Sequence, residues 1–457
     1  MRRILIANRG EIACRIIRTC RRLGIDTVAV HSPADAGALH VAMADAACPL
    51  PGDAAREGYA NIAALLEAAR ATGADAVHPG YGFLAESAAF ARALKEAGLV
   101  WIGPRPETIA DMGDKNRARD LARAAGVPIL PGSPAMAGGD AAMAPALAAG
   151  IGFPVIVKAV AGGGGIGMKR VDDPSALTEA VKTVQAHAGR LYGEPSVFIE
   201  KLIVRARHVE VQVFGFGDGE AIHLYERECS IQRRFQKVVE ESPGPGLDPV
   251  RVSRMCDAAV ALARQERYAG PGTVEFLYDD DTGDFYFLEM NTRIQVEHPV
   301  TERVTGLDLV EQQIRLASGD PLTELRAGPP PRRGHAIECR LYAEDPQRAF
   351  LPSPGTLEEL VLPPESPRVR VDTGVRTGDR VSPFYDPMIA KIIAWGPTRP
   401  DACEALREAL AGVRVAGVKS NIGLLRAILA HDAFSAGRTH TRFIDEHSQE
   451  LLHAGRP

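Results

Sequence analysis

The sequence predicts a multidomain protein of mixed α/β and α+β class, and three observations carry that expectation. At 457 residues the chain exceeds what one hydrophobic core supports, which implies about two to four domains. Its N-terminal part alternates short apolar strands with amphipathic helices, the pattern of a parallel sheet. Further on, strand-like runs separated by Gly- and Asp-rich turns dominate 153–215, then helices and a hairpin run to about 320, and strand patterns return near the C-terminus.

In chain order, RILIAN (3–8) reads as a strand and GEIACRIIRTCRRLG (10–24) as an amphipathic helix stopped at Gly24. DTVAV (26–30) is a second strand, and GADAVHPGYG (73–82) ends a third in a Gly-rich turn. No GxGxxG follows the first strand, so a dinucleotide fingerprint is absent. A new helix is expected in MGDKNRARDLARAAGVP (112–128). The Pro/Gly/Ala-rich stretch 128–150 and AGPPPRRG (327–334) read as linkers.

Composition narrows the function. A net charge of −5 gives no reason to expect nucleic acid, and no apolar run approaches the roughly 18 residues of a membrane span. The seven cysteines (Cys14, Cys20, Cys48, Cys229, Cys256, Cys339 and Cys403) form no CxxC pair, and the start, MRRILIANRGE, is no signal peptide. A cytoplasmic location is expected. Nine lysines stand against 44 arginines, which draws attention to Lys115, Lys158, Lys201 and Lys237.

Residues 289–302, EMNTRIQVEHPVTE, place Glu289, Asn291, Arg293, Gln295 and Glu297 on alternate positions. On a strand they would share one face, either a solvated sheet edge or a site. The preceding GTVEFLYDDDTGDFYFLEMN (272–291) reads as a hairpin whose symmetric register about Thr282 sets Glu275 opposite Glu289. Like charges so paired destabilise a ladder unless something lies between them. A divalent cation on Glu275, Glu289 and Asn291 is the simplest neutraliser, with hard oxygen ligands suited to Mg²⁺ shared with phosphates.

FPVIVKAVAGGGGIGMKRV (153–171) ends a strand at Lys158 and continues into four glycines. Met168 stands where a Walker A loop has Lys, so the arrangement is strand–loop–strand. It is either a long turn or a phosphate-covering lid whose bare backbone approaches the ligand. RHVEVQVFG (207–215) and the basic run in ERECSIQRRFQKVVEESP (226–243) follow, a solvated surface or a small-anion pocket.

IANRGEIA, HPGYGFLAES, MGDK, VKA-GGGG-GM, RHVEVQV, CS-QRR-QKVVEE, EFL, EMNTRIQVEHPVTE, ECR-YAEDP and YDPMIAK occur in order from residue 6 to about 391. Together they resemble the biotin carboxylases, the ATP-grasp component of acetyl-CoA, propionyl-CoA and pyruvate carboxylases. The resemblance implies a Rossmann-like N-terminal domain (1–114), an ATP-grasp domain (115–330) with a mobile lid at about 130–203, and a β-rich C-terminal domain (331–446). ATP would be held by Lys115, Lys158, Gly162, Gly163, Gly164, Gly165, Gly167, His208 and Gln232, with Glu200, Lys201 and Ile203 on the adenine side. Glu275, Glu289 and Asn291 would bind Mg²⁺ or Mn²⁺, the two glutamates also facing ATP. Lys237, Arg293, Gln295 and Val296 would hold bicarbonate, Glu297 would be the base, and Arg340 with Tyr81 would meet biotin. Two positions depart from the family pattern, Ile166 for a basic residue and Phe235 for His. The sequence holds no AMKM-like biotinylation motif. A biotin carboxyl carrier and a carboxyltransferase are thus expected as partners, beside a homodimeric state. The implied activity is ATP-dependent carboxylation of biotin, for an assembly such as acetyl-CoA carboxylase in fatty acid biosynthesis. A ligase activating another carboxylate, and a catalytically weakened nucleotide-binding protein, are the competing readings.

Overall fold

The structure is a computed structural model and describes residues 1–160, 168–192 and 194–454. Five strands near the N-terminus form a sheet: β1 (Arg3–Ile6), β2 (Asp26–His31), β3 (Ala46–Pro49), β4 (Ala76–His78) and β5 (Val100–Trp101). All pair in parallel in the order β3-β2-β1-β4-β5, with Leu5 matched to Val28 on one side and Val77 on the other. The helix α1 (Gly10–Arg22) buries Ile12, Ile16, Ile17 and Cys20, and its last-turn Arg21 and Arg22 oppose the helix dipole. Gly24 takes the left-handed φ of 69° that ends the run, as the sequence indicates.

Next comes a small antiparallel sheet of β6 (Val155–Ala159), β7 (Met168–Val171) and β8 (Val197–Lys201), ordered β7-β6-β8. The helix Leu177–Tyr192 covers it, burying Val181 and Val184 against Val155, Val157 and Ile199. That helix lies inside the span expected to be dominated by strands. The 128–150 stretch is also more than a linker. Met136 bridges to Val197, and Ala141, Ala144 and Ala148 are buried in the same core. Small apolar residues there make a packing face that composition alone disguises as a loop.

The largest sheet has eight strands. It uses β9 (Ala206–Phe216), β10 (Ala221–Arg233), β11 (Gln236–Ser242), β12 (Ala269–Asp279), β13 (Phe285–Asn291), β14 (His335–Tyr342), β15 (Val369–Thr373) and β16 (Met388–Gly396). Their order is β13-β12-β9-β10-β11-β14-β16-β15. Strands therefore continue well past 215, and β14 pairs with β11, so the C-terminal strands extend the central sheet across the 327–334 connection. One face of β14 and β16 packs on the helices Arg399–Ala411 and Ile422–Ala430, while β9 and β12 rest on the helix Pro249–Gln265.

The hairpin of β12 and β13 does pair Glu275 with Glu289, but not through a ladder symmetric about Thr282 from the turn onward. Nearer the turn the register is one residue shorter, with Phe276 facing Phe287, and Leu288 is the extra residue of a bulge that brings Glu289 opposite Glu275. The expected strand through Glu297 is not formed. The strand ends at Asn291, and the helix His298–Thr305 begins with Glu297 at its N-cap and Pro299 in its first turn. Thr292 N–H donates to Glu86 Oε1 instead of to a neighbouring strand, which marks where the chain leaves the ladder.

Candidate active site

The site is built on a cross-strand row. Arg227 on β10 pairs with Glu210 on β9, Glu210 with Glu275 on β12, and Glu275 with Glu289 on β13. Directly paired residues share a face, so three carboxylates stand side by side with a guanidinium at one end. Arg227 is fully buried and donates to Glu210 Oε1 (2.5 Å), Gln212 Oε1 (2.7 Å), Thr301 Oγ1 (3.0 Å) and Thr273 Oγ1 (2.9 Å).

Lys237 reaches over this row from β11. Its Nζ donates to Glu210 Oε2 at 2.6 Å, Glu275 Oε1 at 2.9 Å and Glu297 Oε1 at 2.6 Å, using all three ammonium protons. Glu297 joins two cations, because its Oε2 accepts Arg340 Nη2 at 2.9 Å. Arg340 is held from behind by Glu240, whose Oε1 accepts Nε at 2.6 Å. Burial pushes the Glu297 carboxyl upward, but Lys237, Arg340 and Arg227 outweigh it and hold Glu297 well below the usual carboxylate range. For Lys237 the surrounding Glu210, Glu275 and Glu297 likewise outweigh burial and keep the ammonium charged.

The 291–297 segment converges on the same point without being a strand. Arg293 donates to Glu86 Oε2 (2.9 Å), Asn291 Oδ1 (2.7 Å) and Gln295 Oε1 (2.8 Å), and Gln295 Nε2 donates to Glu275 Oε1 (3.0 Å). Met290, Thr292 and Ile294 are buried as well, but Met290 packs with the helix Pro249–Gln265 and Ile294 with the N-terminal core, so the strict two-sided alternation of a strand is lost where the backbone turns. Val296 contributes its carbonyl, which accepts Lys391 Nζ at 2.7 Å. Lys391 also lies 3.0 Å from Glu11 Oε1, the carboxylate that accepts the Tyr81 hydroxyl, so Tyr81 is tied to this end of the site.

Glu275 is neutralised first by the protein, with Lys237, Asn291 Nδ2 (3.0 Å) and Gln295 on one oxygen and His208 Nε2 2.9 Å from the other. The His208 contact is electrostatic, since its ring nitrogen is not aligned as a hydrogen bond. Glu289 is the less compensated partner. Burial, then the charges of Glu275 and Glu86, push its carboxyl upward, which a cation between the paired carboxylates would relieve. The donor set fits a hard divalent ion such as Mg²⁺. Asn291 turns its nitrogen to Glu275 and its oxygen to Arg293, so acting as an oxygen ligand requires its amide to rotate.

A second cluster carries the other lysine. Lys158 Nζ meets Glu200 Oε2 at 2.5 Å and Arg119 Nη1 meets Glu200 Oε1 at 2.7 Å. Lys201 is turned to the carbonyls of Gly152 and Phe153, and Ile203 is buried with Leu130 and Ala206. Lys115 stands exposed in the first turn of Lys115–Ala124, behind the Asp114 cap. Gln232 is buried near the end of β10, and Phe235 sits at the β10–β11 turn, 71% exposed. The glycines Gly162 to Gly167, and Ile166, lie outside the described residues.

Comparison with known proteins places this geometry. Profiles described as "Biotin carboxylase, N-terminal domain", "Carbamoyl-phosphate synthase L chain, ATP binding domain" and "Biotin carboxylase C-terminal domain" match residues 1–109, 114–325 and 338–446. Biotin carboxylase 1 of Bacillus subtilis is 47% identical over 445 residues, covering 97% of this chain and 98% of that protein. The chain belongs to the biotin carboxylase family. The methylcrotonoyl-CoA carboxylase alpha subunit of Oryza sativa is 49% identical over 452 residues, but this biotin carboxylase chain spans only 61% of that subunit's length. Among solved structures, the biotin carboxylase domain of a thermophilic 2-oxoglutarate carboxylase bound to bicarbonate superposes with a TM-score of 0.93 at 40% identity, covering 98% of this chain and 99% of that one. Biotin carboxylases are ATP-dependent ligases. Sequence reading passed over Glu86, Glu210, Arg227, Glu240 and Lys391. Glu210 carried a signal, since it alternates with His208 and Gln212 in RHVEVQV.

Proposed function

We propose that this chain carboxylates carrier-bound biotin with bicarbonate at the expense of ATP, and that its residues divide the work along the row described above. The observation that carries this reading is the continuous chain Arg340–Glu297–Lys237–Glu275–Gln295–Arg293, which links by hydrogen bonds the residues expected at biotin, at the metal and at bicarbonate. Lys158, with Glu200 beside it, and Lys115 would hold the nucleotide under the glycine loop (Gly162, Gly163, Gly164, Gly165, Gly167), with His208 and Gln232 along β9 and β10 and the backbone near Lys201 and Ile203 at the adenine. Bound at Glu275 and Glu289, Mg²⁺ would neutralise the phosphate oxygens.

Lys237, Arg293, Gln295 and the Val296 backbone would fix bicarbonate in line with the γ-phosphorus, which removes the entropic cost of encounter. One bicarbonate oxygen bonds to phosphorus as the ADP oxygen leaves, while Glu297 takes the bicarbonate proton. A carboxylate held by two cations is a weak base. Diverting Lys237 to the bound anion releases part of that hold and raises the basicity of Glu297 when it is needed. The C–O bond of carboxyphosphate then breaks to give CO₂ and phosphate, phosphate takes the N1 proton of biotin, and N1 bonds to the CO₂ carbon. Arg340 stabilises the ureido oxygen as it gains charge.

The partners proposed are a biotin carboxyl carrier, a carboxyltransferase and a second copy of this chain. A related 2-oxoglutarate carboxylase domain has been solved as a dimer with MgADP and bicarbonate, which supports the last. An acyl-CoA acceptor is favoured by the methylcrotonoyl-CoA carboxylase relatives, with acetyl-CoA and fatty acid biosynthesis another branch of the same class. Seven unpaired cysteines support a reducing, cytoplasmic setting. No helix among the described residues is long and apolar enough to cross a membrane. The deciding experiment measures ATP consumption with bicarbonate, with and without biotin. Strong stimulation by biotin is expected, and turnover that instead requires another carboxylic acid would overturn the reading.

A further inference from the structure

One buried group near this row has no task in the scheme above. Glu338 on β14 is fully buried, and neither of its carboxyl oxygens has a hydrogen-bond partner. Its direct cross-strand neighbour is Glu240 on β11. Glu240 gives Oε1 to Nε and Nη2 of Arg340, whereas its Oε2 is buried without a partner. Glu240 and Glu297 thus share the single guanidinium of Arg340, while Glu338, two residues before Arg340 on β14, is paired with no cation among the described residues. The other cations nearest them are drawn elsewhere. Lys237 serves Glu210, Glu275 and Glu297, and Lys391 on β16, the cation that most favours an ionised Glu338, is turned to Glu11, the Val296 carbonyl and, at 3.9 Å, Asp372. His298, in the first turn of the helix packed on β14, is kept neutral by burial and then by Lys391. An ionised Glu338 would be a desolvated charge with no donor, whereas a neutral one needs a single acceptor. Glu240 Oε2 is such an acceptor.

We infer that Glu338 and Glu240 share one proton, with Glu338 as the neutral acid donating its O–H to Glu240 Oε2, and that this bond fixes Glu240 as the clamp that aims Arg340 at Glu297 and biotin. Burial pushes the Glu240 carboxyl up to about 7 and holds that of Glu338 well above the usual carboxylate range, in keeping with a single proton for the pair near neutrality. Glu338 touches no reacting atom and is a positioning residue. Its effect on turnover rests on the assignment of Arg340 to biotin, whereas the shared proton does not.

Infrared difference spectra of the wild-type chain against Glu338→Gln at neutral pH test the proton directly. The C=O stretch of a neutral carboxylic acid is expected in the wild type and absent from the variant. If no such band distinguishes them, as for an ionised pair bridged by water, the inference fails. Turnover tests the positioning. Glu338→Gln keeps a donor toward Glu240 and should retain biotin-dependent turnover. Glu338→Leu should lose it roughly tenfold, the equivalent of about one hydrogen bond, while bicarbonate-dependent ATP cleavage without biotin stays within about twofold. Equal loss of both activities in Glu338→Leu, or equal behaviour of the two variants, would overturn it. Arg340→Lys with undiminished biotin-dependent turnover would remove the Arg340 assignment instead, leaving the infrared band to decide the shared proton.

Discussion

Glu289 and Glu297 have opposite electrostatic surroundings, and that difference sets what each substitution should do. Glu289 is pushed upward by burial and by Glu275, so it gains most from a bound cation. Glu289→Gln should raise the Mg²⁺ requirement and cut turnover severely, and titrating activity against Mg²⁺ checks this. Unchanged activity at ordinary Mg²⁺ would remove the clamp. Glu297 is held ionised by Lys237 and Arg340. Glu297→Gln should keep ATP binding while bicarbonate-dependent cleavage falls by roughly 10²–10⁴, the range of a lost proton acceptor. Parallel loss of ATP affinity in calorimetry would count against that role. Phe235 stands at an exposed turn, where Arg234 and Phe235 both have positive φ (48° and 68°). Phe donates no hydrogen bond to phosphate or ribose, so Phe235→His should lower the KM for ATP several-fold with little change in kcat.

At the level of elements, the hairpin of β12 and β13 is what brings the carboxylates into register. Its entry is sterically tight. A Cβ on Gly272 would meet the Tyr268 ring at 2.5 Å, and Tyr268 is fully buried beneath the strands. Gly272→Ala should therefore destabilise the protein by about 1–3 kcal/mol, the usual cost of overpacking, read as a lowered midpoint in urea. EMNTRIQVEHPVTE was legible as a functional face, because its alternate positions carry Asn291 and Gln295, which donate to Glu275, and Arg293, which bonds to both. Its backbone was misread. Period-two polarity does not reveal that Thr292 bonds to Glu86, more than two hundred residues away in sequence, or that Pro299 starts a helix. Likewise the bulge at Leu288 leaves no mark in the pattern, although the ladder next to the turn would set Glu275 opposite Leu288 and the inserted residue is what brings Glu289 to it.

Across the whole molecule, Asp372 joins the N-terminal helix to the C-terminal strands. It accepts Arg18 of α1 at 2.6 Å and Arg370 at 2.6 Å, with Lys391 3.9 Å away. Burial raises its carboxyl, but Arg370, Lys391 and Arg18 outweigh that and hold it well below the usual range. A depressed folded value contributes stability above the unfolded pKa of about 3.9 and loses it as pH falls through the folded value. Wild-type Tm should accordingly drop below about pH 4. Asp372→Asn removes the carboxylate that Arg18 and Arg370 share, although Arg370 keeps Glu302 and Lys391 keeps Glu11, and should be destabilised by about 1.5–3 kcal/mol at pH 7 and lose less on acidification. Equal acid sensitivity of the two proteins would show that Asp372 does not couple these parts.

The sequence by itself determined the parallel N-terminal sheet, the existence of the hairpin that carries Glu275 and Glu289, and the alternate polar residues that follow it, because each is written in local periodicity and turn chemistry. Only the tertiary structure decided their neutralisation and support. Lys237 joins three carboxylates from three separate segments, Arg340 is shared by Glu240 and Glu297, and β14 continues the sheet of β11 across a proline-rich connection. A buried charge needs a partner close in space, and strands nearly a hundred residues apart in sequence supply it only once the sheet order is set.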